Sequence, residues 1–294
     1  MSNKAWSGKT GGTHWMQRSL IMMFRWINPM ALYPIVWIWI LGYIVVGHQG
    51  RRGIYYYWHH RLGYPAVSAM KHLYLNYLEF GKVILDRFAA WAGRKISVRI
   101  DNKEILESLL NQPQGFILIS SHIGNQELAG YHFPMQKPLY VLTYQGDTQV
   151  VNENRAAAFA KMGLNIIPYQ EDGSHIFDMH KAIDSGNLLS VHGDRMFKGD
   201  RVLRAKILGQ EASFPEGCFR VAAMEQVPVI SLFMMREKRD TYVLYVKKLS
   251  DGLCAAGNSR QHAVEILQSY IQSMEWILAQ YPHQWFHFYE FWKQ

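Results

Sequence analysis

Cysteine is almost absent. Cys218 and Cys254 are the only two in 294 residues, too few and too isolated for a disulfide framework or a zinc site. Both fit a reducing compartment. Charge is scarce as well: 18% of residues are charged, against 49% hydrophobic and 14% aromatic. That excludes a disordered chain and leaves a greasy soluble protein or a membrane-associated one. Acidic residues are rarest in the first third. Residues 1–95 hold twelve Lys and Arg but only Glu79 and Asp86 as acids, so the net charge of +8 arises entirely there. No Gly-x-Ser-x-Gly elbow, P-loop or Gly-x-Gly-x-x-Gly fingerprint occurs, which argues against a nucleophile-elbow hydrolase and against nucleotide-loop chemistry. The basic, aromatic N-terminal segment contains no nucleic-acid module, so no nucleic acid is expected as a partner and anionic lipid headgroups suit it better.

From Trp26 to Gly47 there is no formally charged residue. The run is long enough for a membrane-crossing helix, which takes roughly 20 apolar residues. Pro29 and Pro34 break or kink its first half, and Trp26, Tyr33, Trp37, Trp39 and Tyr43 favour a membrane interface. A full span, a re-entrant hairpin and a helix lying in the interface all fit, with a buried core helix as the plain alternative. The late start of the run and the lack of a small-residue cleavage site argue against a signal peptide. Lys4, Lys9, Arg18 and Arg25 precede it, and Arg51, Arg52 and Arg61 follow it, so charge does not set its orientation. His59 and His60 have no carboxylate or further histidine at ligand spacing, and no metal is expected. A helix is predicted over Ala66 to Trp91.

Beyond residue 95 short apolar runs alternate with helical patterns. Strands are predicted at Phe116–Ile119, Pro138–Tyr144, Asn165–Pro168, Leu188–His192, Val227–Met234 and Thr241–Val246. Helices are predicted at Asn152–Met162, His175–Ser185, Cys218–Gln226 and Ser259–Gln280. This alternation signifies an α/β fold, a central sheet flanked by helices. The chain divides into a hydrophobic, basic, membrane-associating segment, 1–95, and a main domain, 96–294.

Residues 115–127 read Gly-Phe-Ile-Leu-Ile-Ser-Ser-His-Ile-Gly-Asn-Gln-Glu. They place His122 at the end of a buried strand, with Glu127 just beyond. An imidazole takes a proton near neutral pH, and a carboxylate can fix its tautomer and stabilise the imidazolium, as activation of a hydroxyl requires. A polar turn facing water is the plain alternative. Asp194 and Arg195 also follow an apolar strand, and ligands of such sheets bind outside the strand ends. A guanidinium there could hold a phosphate or carboxylate or stabilise an oxyanion; a surface salt bridge is the other reading. Phe214-Pro-Glu-Gly217 precedes a helix with Arg220 in its first turn, a turn that could bind an anion or simply start the helix. Cys218, with no base beside it, is read as a packing residue.

Four segments together resemble the lysophospholipid acyltransferase superfamily, and most of all its branch of bacterial lipid A biosynthesis (lauroyl/myristoyl) acyltransferases. These are the His-x4-acid motif His122-Ile-Gly-Asn-Gln-Glu127, the strand ending in Gly193-Asp194-Arg195, the stretch Phe214-Pro-Glu-Gly-Cys-Phe-Arg through Pro228-Val-Ile230, and the closing Tyr281-Pro-His-Gln-Trp285. The resemblance implies a mixed sheet of the glycerolipid acyltransferase type with an N-terminal membrane-associated helix. It implies His122 as general base and Glu127 as its partner, with Asn125, Asp194, Arg195, Glu216, Gly217 and Arg220 as substrate-binding residues. It further implies transfer of an acyl chain from a thioester to a lipid hydroxyl or amine, with no metal and no cofactor. Acyl carrier protein is the implied donor and partner, coenzyme A thioester the other choice. Membrane lipids and the cytoplasmic face of a bacterial inner membrane complete the expectation. Cys218-Phe219 stands where the glycerolipid branch has Thr-Arg, which argues against a glycerol-3-phosphate or lysophosphatidate acceptor. A glycerolipid acyltransferase and an inactive lipid-binding protein are the rival functions.

Overall fold

The computed structural model describes residues 19, 21–46, 48–133, 136–144, 149–196, 200–238, 241–253 and 258–293; Lys4, Lys9, Arg18, Gly47 and Cys254 lie outside them. The N-terminal run begins with a 3₁₀ turn at Pro29–Leu32, capped by the Asn28 side chain. Helix α1, Tyr33–Val46, follows. Pro34 sits in its first turn, where the missing N–H costs nothing. The described apolar helix has 14 residues, about 21 Å at 1.5 Å per residue, against about 30 Å of bilayer hydrocarbon. Among the described residues, no helix is long and apolar enough to cross a membrane.

Helix α2, His48–Tyr56, runs on into a π-helical turn, Tyr57–Arg61, and after a non-helical break at 62–65 helix α3, Ala66–Trp91, follows. Helix α1 crosses α3 at Gly81, where a Cβ would come within 2.6 Å of Val36 and 3.1 Å of Ile40. The missing side chain at Gly81 leaves room for the Val36 and Ile40 side chains.

The remaining elements are β1 (Ser97–Asp101), α4 (Lys103–Leu110), β2 (Ile117–Ser120), α5 (Gln126–His132), β3 (Leu139–Thr143), α6 (Gln149–Lys161), β4 (Leu164–Pro168), α7 (His175–Asp184), β5 (Leu188–His192), β6 (Val202–Ile207), β7 (Gln210–Pro215), α8 (Glu216–Glu225), β8 (Val229–Lys238), β9 (Thr241–Ser250) and α9 (Ser259–Gln280). Seven strands make one sheet in the order β1-β9-β8-β2-β5-β3-β4, and β6 and β7 form a separate hairpin. Within the large sheet only β8 and β9 pair antiparallel. The architecture is therefore mixed α/β with a mostly parallel central sheet flanked by helices.

Strand β2 lies in the middle and is buried throughout, which is why it reads as an unbroken apolar run rather than an alternating one. Its residues still divide by pleat. Ile117 and Ile119 join a core with Tyr270 and Met274 of α9, while Phe116 and Leu118 join Leu106 and Leu109 of α4 on the other face. Both faces of the sheet are dry at β2, so chemistry there is left to the loop at the strand end.

Candidate active site

The β2 strand ends at Ser120, and the chain turns at once through Ser121 and His122. Hydrogen bonds from two directions hold this turn. The Gly124 N–H donates to Gln284 O at 2.8 Å, the Asn125 N–H donates to Met234 O at 2.7 Å, and His122 O accepts from the Phe286 N–H at 2.9 Å. Gly124 has φ +74°, and a Cβ there would meet Met234 O at 2.2 Å, so no other residue fits between the turn and β8. The C-terminal segment is locked in turn by Gln284, whose side chain accepts from the Arg236 N–H at 2.9 Å and donates to Arg236 O at 2.7 Å.

The neighbouring strand supplies the carboxylate. Asp194 follows β5, and its Oδ2 accepts from the His122 backbone N–H at 2.7 Å while Oδ1 lies 2.8 Å from His122 Nδ1. The Asp194 side chain is fully buried and that of His122 is 22% exposed. This two-point grip puts the proton on Nδ1 and leaves Nε2 with its lone pair. Gly193 makes the approach possible: its N–H donates to Ser120 O at 2.9 Å, and a Cβ would collide with Ile119 at 2.8 Å and the Tyr270 ring at 2.9 Å. Tyr270 and Tyr289 donate their hydroxyls to Ser120 O and Asp194 O, bracing both strand ends.

The electrostatics favour a neutral base. Burial pushes the His122 imidazole below its ordinary range and the Arg195 charge lowers it further, with Asp194 opposing. Burial alone would raise the Asp194 carboxyl, but His122, its backbone N–H and His192 together hold it well below the usual carboxylate range. At neutral pH the pair is therefore imidazole and carboxylate, ready to become imidazolium and carboxylate.

The other sequence-predicted residues divide into those near the base and those apart from it. Arg195 is close, with its guanidinium over the Tyr289 ring at 5.9 Å. Glu127, expected to orient the imidazole, instead pairs with Arg87 of α3 at 2.9 Å through Oε1, and its buried Oε2 has no hydrogen-bond partner. The carboxylate on His122 is thus Asp194, assigned from sequence to substrate binding. Asn125 is buried and works as a helix cap, accepting from the Leu128 N–H at 3.3 Å and donating to Val83 O at 3.4 Å. Glu216 and Arg220 pair with each other at 3.9 Å in the first turn of α8, beside Gly217. Cys218 is buried, its Sγ donating to Pro215 O, and burial keeps the thiol protonated far above neutrality.

Sequence reasoning missed His192, whose ring lies 4.8 Å from that of His122 between centroids. Its signal was present: it ends an apolar strand just as His122 follows one. Among the described residues, His122, His192 and Asp194 are the only group of donors compact enough to hold a cation, within 4.8 Å of one another. Both oxygens of Asp194 are already engaged by His122, so the cluster is read as an acid–base one.

A comparison with curated proteins finds no significant match. A family model described as bacterial lipid A biosynthesis acyltransferase matches residues 76–294. That stretch holds every element of the large sheet, the His122 turn, Asp194 and the C-terminal lock. By this match the chain belongs to the bacterial lipid A biosynthesis acyltransferase family, and it is an acyltransferase.

Proposed function

We propose that the protein moves a fatty acyl chain from an acyl thioester, carried by acyl carrier protein, to a hydroxyl or amine of a lipid or glycolipid acceptor at the cytoplasmic face of a bacterial inner membrane. The observation that carries this reading is His122 held at two points by a buried carboxylate, with Nε2 left open. Nε2 removes the acceptor proton as the acceptor attacks the thioester carbonyl carbon, and Asp194 stabilises the imidazolium that forms. The Arg195 guanidinium is the cation best placed for the developing oxyanion. Glu127, with one oxygen on Arg87 and the other unengaged, receives a polar group of the acceptor. No covalent acyl-enzyme and no metal takes part.

The membrane part rests on exposed apolar surface. Trp26 is 85% exposed, and Ile38 and Trp39 are 73% exposed each, amphipathic or greasy side chains that suit a headgroup boundary. Arg51, Arg52, Tyr55, Val67 and Met70 line a groove nearby, a cationic rim on an apolar wall that matches an anionic lipid.

The test is transfer from labelled acyl carrier protein or coenzyme A thioester in the presence of total bacterial membrane lipid, with products identified by mass. Wild type should make a new acylated lipid and His122→Ala should not. If wild type neither transfers nor hydrolyses either thioester, the reading fails.

A further inference from the structure

The site contains a second imidazole that the reaction as written above does not use. In the parallel pairing of β2 with β5, Ser120 stands opposite His192. The His192 ring is tilted 35° to that of His122 at a centroid distance of 4.8 Å. Ser120 Oγ donates to Val191 O at 3.2 Å and lies 2.9 Å from His192 Nδ1. A hydroxyl has one proton to give. With that proton on Val191 O, Ser120 Oγ accepts from Nδ1–H, which makes Nε2 the exchangeable position of His192.

We propose that His192 is a catalytic acid that protonates the departing thiolate. This rests on the acyl-transfer reading above. His122 has a single open nitrogen, and that atom must face the acceptor hydroxyl. The sulfur leaves from a different position on the same carbon, where a proton delivered by a second group shortens the path. Other groups around the base are poorly suited. Arginine does not give up its proton. Glu127 is held by Arg87. Tyr270 and Tyr289 are held on backbone carbonyls, with burial raising their hydroxyls well above the ordinary range. His192 is only partly buried, and its ring stands next to that of the base, a side-chain type suited to acid–base exchange.

His122 Nε2 takes the acceptor proton, the acceptor electron pair forms the new bond to the acyl carbon, and the carbonyl π pair moves onto oxygen. When that pair returns, the carbon–sulfur bond breaks with its electrons on sulfur. His192 Nε2 passes its proton to the sulfur and is recharged from the His122 imidazolium, directly or through one water. The net movement is one proton from acceptor to thiol, and both imidazoles return to their starting states.

The experiment varies the leaving group. Two thioesters of the same fatty acid are compared: an alkyl thioester of the pantetheine type, whose thiolate is basic, and a thiophenyl ester, whose thiolate is a good leaving group without help. Each is offered to wild type and His192→Gln with the same membrane lipid. The variant should lose about 10²-fold with the alkyl donor, in the range of a removed general acid, and little with the aryl donor. The alkyl-to-aryl ratio within one preparation is independent of the folded fraction, so a partly unfolded variant still decides the matter. Equal loss on both donors, or loss on neither, overturns the acid role and leaves His192 with packing or oxyanion binding. Failure of wild type with both donors overturns the acyl-transfer reading itself, and this inference with it.

Discussion

Replacing Asp194 by Asn tests the His122–Asp194 dyad most directly. The side chain keeps its shape but loses its charge and one acceptor. In the native site both oxygens accept, one from the His122 backbone N–H and the other from Nδ1. An amide can satisfy only one of these, so its NH2 faces the other. If the amide faces Nδ1, the imidazole tautomer inverts and Nε2 becomes a donor that cannot take the acceptor proton. Coulomb attraction between the carboxylate and the forming imidazolium is about 4 kcal/mol at roughly 4 Å with an effective dielectric of about 20. That alone corresponds to about 10³-fold in rate, and an inverted tautomer brings the total to about 10³–10⁴-fold in kcat. The assay is the initial rate of acyl transfer at saturating donor, with urea unfolding as the control for structure. Stability should fall by about 1–3 kcal/mol for the unmade hydrogen bond. Glu127→Gln is the companion. It breaks the Arg87 pair but leaves the imidazole held, so kcat should fall by less than about tenfold. If Glu127→Gln abolishes turnover while Asp194→Asn retains it, the dyad is the one expected from the His-x4-Glu spacing and the reasoning here is wrong.

Other consequences can be measured independently. Burial and then Arg195 lower the His122 pKa, so the acid limb of kcat/KM should lie below the ordinary 6.5 of an imidazole. Arg195→Gln should move that limb up, and an unmoved limb would deny the coupling. His287 has a fully buried ring, and burial lowers its pKa to about 3. As pH falls through 6.5 the unfolded chain takes up a proton that the folded state refuses, so stability present at pH 7 drains away toward pH 3. By pH 4.5 the loss from this group should be roughly 2–3 kcal/mol. His287→Phe should flatten the corresponding dependence of the urea midpoint. Cys218→Ala should leave turnover unchanged, at a stability cost of about 1 kcal/mol; lost turnover in folded protein would reopen the thiol as a participant.

Legibility in the sequence follows the range of the interactions. Leu188–His192, Ala66–Trp91 and Ser259–Gln280 have the bounds their hydrophobic patterns predict, because a dry strand and a one-faced helix each write a local pattern. Strand β1 and the β6–β7 hairpin escaped. In β1 and β6 partly exposed residues alternate with polar ones, as in Ser-Val-Arg-Ile-Asp for β1, and β7 is a six-residue mixed stretch even though its last four residues are buried; such stretches match loops equally well. His122 was legible because it follows a buried strand. Its carboxylate was not: Asp194 lies 72 residues away, and only the pairing of β2 with β5 brings them together. The nearer acid was the natural choice, yet Asn125 starts α5 immediately after the turn and Glu127 in its first turn is taken up by Arg87.

Helix α3 ties the apolar N-terminal region to the His122 turn. It belongs by sequence to the basic first third, but three of its polar side chains reach the site's supports. Asn76 donates to His283 O at 2.9 Å and Trp285 O at 3.2 Å, on the C-terminal segment that holds the His122 turn. Arg87 takes Glu127. Asp86, 3% exposed, accepts from Tyr33 of α1 at 2.5 Å, Tyr242 of β9 at 2.6 Å and Arg236 of β8 at 3.1 Å. A buried carboxylate with these donors is costly to disrupt from either side, by about 3–5 kcal/mol when one charged partner is removed. Helix α1, with exposed Trp37 and Trp39, is therefore pinned, through one carboxylate, to the strand whose Met234 carbonyl holds the His122 turn. The family match begins at residue 76, so it takes in Asn76, Asp86 and Arg87 but not Tyr33 of α1. An acceptor docked against α1 would meet His122 in a fixed relation to that surface, set by packing rather than by a flexible tether.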